Sequence, residues 1–400
     1  MDARMIRLIA PLMSAAMAGA ALAQPAPRVM LDVPVPAAER FRINHEGPGA
    51  RLAVGRDGTH HILVHQFQPA AQSLEPATAA RIDLVAVASD GELKRRQTLP
   101  ATEKITFNGF AIASLGIVTA SSGDHAVFWS ANDPDIPARG GRSRFATLLH
   151  LAADGGVKKT SAIGPPNVAQ GRTDARAYYE LYVYAPTPDN AVLLGGGFGS
   201  GPYAWWMGKF NLDGVRLWQA GPGNGFPERV AAAARRVDGS WLSLVTEMPR
   251  SGGLDWVIRR NAADGTALSR TRLPMPVGYE AAVLRNGSVL IANAGDGRAA
   301  AQELVFVDDR GHIRRRSPWP FAQTLRLIAD GDGLAAIVED DAASDGQRTV
   351  VRADATGAIR WRSAAADVTE IMRTPDGHIA ALVRTGKDGE GLRLVRYADP

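Results

Sequence analysis

Tight-turn dipeptides recur along this chain in two interleaved series, and that double rhythm limits the possible folds more than any other feature. The first series runs Asp57-Gly58, Gly123-Asp124, Asp189-Asn190, Asp238-Gly239, Asn286-Gly287, Asp332-Gly333 and Asp376-Gly377. The second runs Asp90-Gly91, Asp154-Gly155, Asp213-Gly214, Asp264-Gly265, Arg310-Gly311 and Thr356-Gly357, with a seventh member due at Asp399-Pro400. Between alternating apolar segments, such dipeptides read as two-residue primed hairpin turns, which need positive φ at Asn, Asp or Gly. From Asp189 onward each series repeats every ~44 to 51 residues, the length of a four-stranded propeller blade.

Each repeat therefore reads strand A, first turn, strand B, variable loop, strand C, second turn, strand D. The fifth is the clearest: Glu280 to Leu284, Asn286-Gly287, Ser288 to Ala292, a loop, Glu303 to Asp308, Gly311, then Ile313 onward. The last repeat stops after strand C, at Arg393 to Ala398, while the segment Val29 to Val35 precedes the first strand A and is otherwise unassigned. The expected fold is all-β: a seven-bladed β-propeller of four-stranded antiparallel blades, closed by that N-terminal strand so that no sheet edge stays open. Blades 1 and 2 are longer, with about 66 residues between corresponding turns, against ~40 to 50 for an ordinary blade. A hidden hairpin there would make an eight-bladed ring. Two stacked sandwiches are the other rival, and they would not keep so steady a period.

The first residues have a separate role. Arg4 and Arg7, the apolar run Leu8 to Ala20, and Ala21-Leu22-Ala23 before Gln24 make a signal peptide cut after Ala23. The expected organisation is residues 1–23 as signal and 24–400 as one propeller domain, exported to the periplasm or beyond and expected to be a monomer. The chain has no Cys, which removes disulfides, thiolate metal sites and thiol nucleophiles. Its formal charge of +4 comes from scattered Arg with no basic block, so nucleic acid is not an expected partner, and no downstream apolar run is long enough to span a bilayer.

The phrase ADATGAIRW, ending at Trp361, resembles the pyrroloquinoline-quinone-type propeller repeat, and NLDGVRLWQ (Asn211 to Gln219) is similar to it more loosely. In that family an Asp-x-x-Thr-Gly turn joins strands C and D, and a Trp on strand D packs against the next blade. The resemblance implies structural roles for Asp354, Thr356, Gly357 and Trp361, and for Asp213, Gly214 and Trp218. Quinone-dependent members hold their cofactor beside a vicinal disulfide and over calcium. Without Cys that disulfide cannot form here, so no cofactor is expected and the carry-over stops at fold.

In a propeller the A-to-B and C-to-D turns share one face, and the longer B-to-C and D-to-A loops share the other, where binding residues usually sit. Three groups there are candidates. Gly195 to Gly201, followed by Tyr203, Trp205 and Trp206, could present flat aromatic faces to a sugar or peptide; interblade core is the alternative for the tryptophans. The glycine run lacks a following Lys-Ser/Thr and joins strands, which argues against a phosphate loop. Arg139, Arg142, Arg144, Arg172 and Arg176, beside Tyr178 and Tyr179, could bind carboxylate or sulfate, or simply pair with Asp133, Asp135 and Asp174.

The third group comes from aligning strands A on their turns. Seven residues before the turn glycine stand Arg51, Glu280, Arg326 and Glu370, in blades 1, 5, 6 and 7. These should ring the channel mouth, either as a salt-bridge network or as a site for acid–base or metal chemistry. His60, His61 and His65 do not make a metal site, because His61 and His65 stand about 13 Å apart on one strand face while His60 points the other way. No nucleophile elbow or zinc motif is present. The expected function is a non-catalytic binding or assembly module whose loop face recognises protein, peptide or envelope glycan. A metal-assisted, lactonase-like hydrolase at the channel mouth is the alternative, and a quinone-dependent oxidoreductase the third.

Overall fold

The computed structural model describes residues 24–36, 42–43, 49–68, 79–99, 112–132, 144–163, 178–199, 204–221, 229–248, 253–275, 280–284, 286–292, 302–331, 333–339, 347–386 and 391–400. Blade 1 is built from β3 (Ala50–Val54), β4 (His60–Gln68), β5 (Ala79–Val87) and β6 (Leu93–Thr98). A two-residue β2 (Arg42–Ile43) also pairs with β4, beyond the end of β3. Blade 2 is β7 (Ile112–Thr119), β8 (His125–Asn132), β9 (Arg144–Leu151) and β10 (Val157–Ile163). Blade 3 is β11 (Tyr178–Pro186), β12 (Ala191–Gly199), β13 (Ala204–Asn211) and β14 (Arg216–Ala220). Blade 4 is β15 (Val230–Arg235), β16 (Trp241–Glu247), β17 (Asp255–Asn261) and β18 (Ala267–Arg272). Blade 5 is β19 (Glu280–Val283), β20 (Val289–Ala292), β21 (Glu303–Val307) and β22 (Ile313–Pro318). Blade 6 is β23 (Gln323–Asp330), β24 (Gly333–Glu339), β25 (Arg348–Ala353) and β26 (Ile359–Arg362). Blade 7 is β27 (Asp367–Arg373), β28 (Ile379–Thr385), β29 (Gly391–Ala398) and, as its outer strand, β1 (Arg28–Val35).

Every strand pair is antiparallel, and the inner strands touch in ring order from β3 through β7, β11, β15, β19, β23 and β27 back to β3. The molecule is therefore a seven-bladed propeller, with no eighth blade among the described residues. The N-terminal strand closes the last blade as expected: Val35 lies opposite Leu392, and Leu31 opposite Arg396. Seven apolar clusters fill the ring, one between each pair of adjacent blades. Second strands are buried throughout, as in β16, whereas outer strands such as β10 and β18 are exposed and rich in Lys or Arg, which discourages edge-to-edge pairing.

The turns differ in detail from two-residue primed turns. In the first, Gly58 N–H donates to Gly55 O at 3.0 Å and Gly55 N–H to Thr59 O at 2.8 Å, and only Gly58 has positive φ, at 81°. That is a three-residue loop, a type I turn closed by one left-handed residue. The aspartate before the glycine serves as a cap rather than as a second left-handed residue: Asp57 accepts from Thr59 N–H, Asp90 from Glu92, Asp238 from Ser240 and Asp264 from Thr266. Blade 6 departs from the pattern, since Asp330 pairs directly with Gly333 and Gly331 has positive φ. Gly333 is needed for another reason: a Cβ there would lie 2.3 Å from the Ala353 carbonyl oxygen.

The residues singled out by the propeller-repeat resemblance are structural. Asp354 accepts from Thr356 N–H, Thr356 Oγ1 and Ala358 N–H, while Trp361 packs among Ile371, Ile379 and Tyr397 of blade 7. Trp218 lies 6.1 Å from Trp241 of blade 4, ring centre to ring centre. No described helix is long and apolar enough to cross a membrane. Residues 1–23, the expected signal peptide, lie outside the described residues.

Candidate functional site

Strand A is innermost, so the residues at its start converge on the central channel. Glu370 of blade 7, with a side chain only 4 % exposed, lies 3.4 Å from Arg51 Nη1 of blade 1 and 3.4 Å from Arg326 Nε of blade 6. Arg51 is fixed from both sides, donating through Nε to Leu115 O and through Nη1 to Ala50 O, each at 3.0 Å. Glu280 of blade 5 joins Arg51 and Arg326 in lining a cavity of about 110 Å3. The four positions found by alignment thus occupy one site, and Glu370 bridges two of them.

Two further polar groups complete it. Tyr184 on β11 and Arg229, just before β15, line the same cavity. Tyr184 is hydrogen-bonded to Arg326, and its ring stands edge-on to Phe128 at 4.9 Å. Phe128 also explains the gap in the ring at blade 2: the aligned residue is Gly116, where a Cβ would lie 2.0 Å from the Phe128 ring. The blade 4 position is Ala232, and Arg229 enters from three residues earlier instead. Tyr184 and Arg229 sit outside the register that located the other four, so alignment on the turns missed them.

The electrostatics are uneven. Burial pushes the Glu280 carboxyl up to about 7, against the opposing pull of the Arg326 and Arg229 guanidiniums. Burial also raises the Tyr184 phenol, and Glu370 adds to that; Arg326 is held firmly protonated, chiefly by Glu370. Among the described residues three guanidiniums and two carboxylates meet there, and one of the carboxylates is half-neutralised near pH 7. Calcium takes six to eight oxygen ligands, and two carboxylates and a phenol flanked by three cations do not supply such a shell. The described residues contain no group of three His, Asp or Glu placed to hold a metal ion. The donor set suits an anion: a single carboxylate or similar group fits the volume, and guanidinium N–H groups are its natural partners.

The other expected residues divide. Arg139, Arg142, Arg172, Arg176 and Tyr203 lie outside the described residues, and Tyr178 is placed only as the first residue of β11. Trp205 and Trp206 present no exposed faces for binding: they are 2 % and 1 % exposed and sit in interblade clusters, with Arg259 stacked 4.4 Å from the Trp205 ring centre. Gly195 to Gly199 is not a loop but the second half of β12, pairing with β11 and β13; Gly197 lies opposite Trp205, and Gly196 opposite Trp206. A Cβ on Gly195 would stand 3.4 Å from Val230 of blade 4, an ordinary contact.

The fold and its central ring define a seven-bladed β-propeller with a cation-rich channel mouth. No protein-family model matches the sequence, and no curated protein matches it. Among solved structures the chain is similar to polysaccharide lyase Uly1, at 10 % identity and a TM-score of 0.53, covering 89 % of this chain and 90 % of that one. It is also similar to the beta-propeller domain of the Trilobed protease from Pyrococcus furiosus, at 9 % identity and a TM-score of 0.52, covering 87 % and 95 %. That domain is described as having an open velcro topology, whereas here β1 closes blade 7. Likeness at this level of identity extends to the fold alone.

Proposed function

We propose that the protein is an exported binding module that recognises an acidic group on a cell-envelope protein, peptide or glycan, with the channel mouth as its anchor point. The observation that carries this reading is the convergence of guanidiniums on a cavity sized for one small anionic group. The location rests on the N-terminal sequence read as a signal peptide, and the choice of an envelope partner rests on that location. The test is titration of the full chain with a peptide ending in Asp-Asp and with glucuronic acid, comparing wild type with Arg229→Met. Binding that weakens in the variant supports the module; equal binding, or none to either probe, refutes it.

One observation favours a second reading. A carboxyl tuned to about 7 beside a guanidinium is how general acid–base groups are prepared, and Glu280 has that setting. Under that reading Glu280 exchanges a proton with a bound glycan or ester, without a metal. Mass spectrometry of candidate glycans and esters after incubation separates the two: unchanged ligand supports the module, and turnover lost in Glu280→Gln supports the enzyme.

A further inference from the structure

The opposite, tight-turn face carries a larger cleft between blades 1 and 2, of about 650 Å3, within the range of small-molecule sites. His61 lines it and is 7 % exposed; its ring centre lies 4.1 Å from that of His125, which is 1 % exposed. His125 shares its Nδ1 with Thr119 Oγ1 at 3.2 Å, while Nε2 of His125 and Nδ1 of His61 are buried without a hydrogen-bond partner. Arg95 on β6 reaches across the cleft, where Nη1 donates to Ala153 O at 3.3 Å and Nε is buried and unpartnered. A Cβ on Gly155 would lie 2.7 Å from the Arg95 guanidinium carbon, so the neighbouring turn is shaped to admit that group.

The charges of the lining do not cancel. Asp57 is engaged by its own turn, accepting from Thr59 N–H at 3.0 Å and Thr59 Oγ1 at 2.8 Å, and Asp154 accepts from Gly156 N–H at 2.9 Å. Lys94 is paired with Glu92. Arg56 and Arg95 have no ion pair among the described residues. Burial holds His61 at about 3 and His125 at about 4, so both imidazoles are neutral at pH 7 and each carries one N–H donor. Arg56 and Arg95 face two carboxylates, Asp57 and Asp154, that are held by their own turns, so guanidinium N–H groups outside any direct ion pair and a buried imidazole remain in the cleft to receive an oxyanion.

We propose that this cleft binds the phosphate, sulfate or carboxylate group of a small molecule, held by Arg95 and Arg56 with His61 at its floor. The site is separate from the channel mouth and independent of the function proposed for it.

The test uses the full chain with labelled histidine, followed by NMR during titration with inorganic phosphate, sulfate and acetate. At least one anion should saturate with a Kd of about 1 mM or tighter, moving the His61 and His125 ring signals and not that of His378 on blade 7. Saturation by phosphate or sulfate alone assigns a phosphorylated or sulfated ligand; saturation by acetate as well assigns a carboxylate. Arg95→Met should weaken binding at least tenfold, with Arg95→Lys recovering part of the loss. If no anion moves His61 at up to about 50 mM, or if Arg95→Met with native circular dichroism binds as the wild type does, the proposal fails.

Discussion

Replacing Glu370 by Gln tests whether the channel ring is held by ionic bridging. Two guanidiniums lie 3.4 Å from its oxygens, and at an effective dielectric of about 20 each such contact is worth about 5 kcal/mol before desolvation. Arg51 and Arg326 are 26 % and 32 % exposed toward the channel, so water screens a good part of this, and Gln keeps one acceptor oxygen. The expected loss is therefore about 2–3 kcal/mol, below the ~3–5 kcal/mol of a fully buried pair broken on one side. With an unfolding entropy of about 2.1 cal/mol/K per residue over roughly 370 residues, the melting midpoint should fall by about 3–4 °C. Differential scanning calorimetry at pH 7 in low salt measures it. Acetate should restore part of the loss in the variant and do less for the wild type, because an anion can take the carboxylate's place between the guanidiniums. A midpoint within about 1 °C of wild type, with no acetate effect, would mean the guanidiniums are satisfied without Glu370.

Three other outcomes are expected. Glu280 has its folded pKa raised from 4.5 to about 7, so its contribution to stability is complete below about pH 4.5 and is lost as pH rises through 7; Glu280→Gln should flatten that slope and be more stable than wild type at pH 8, by up to about 3 kcal/mol in urea titrations. Deleting residues 28–35 removes Leu31 and Val35 from the cluster between blades 7 and 1 and exposes the edge of β29; a loss of at least about 4 kcal/mol and concentration-dependent association by light scattering should follow. Trp361→Phe removes the 2.7 Å hydrogen bond from Nε1 to Asp399 while keeping an aromatic ring in the cluster, at a cost of about 1–2 kcal/mol by chemical denaturation.

The architecture was legible because its signals are local. A left-handed glycine and an aspartate that caps the residue two positions on are decided within five residues, so repeating them prints the blade period into the chain. The count of seven and the closing strand could be read from those turns, and the packing roles of Trp361 and Trp218 came through the resemblance of their repeats. The turn type was misjudged because the dipeptide does not reveal whether Asp supplies a positive φ or a cap, and both favour the same residue. The glycine run before Tyr203 looked like a loop because glycine is poor in strands, whereas pairing on both sides with β11 and β13 holds it in β12.

The channel ring was half legible. Arg51, Glu280, Arg326 and Glu370 share a register, and register survives in sequence because every strand A is tied to its turn. Tyr184 and Arg229 break that register and reach the cavity from other heights on β11 and before β15, which depends on how far each blade is rotated against its neighbours. The His61 and His125 pair was invisible for the same reason: no spacing rule connects residues of two blades whose contact is set by interblade packing. Local backbone chemistry, written in order along the chain, determines the repeat and its handover from strand to strand. Which charges meet at the axis, and which remain without a partner, follows from closing seven blades into a ring, because long-range packing alone brings those side chains within a few ångströms of one another.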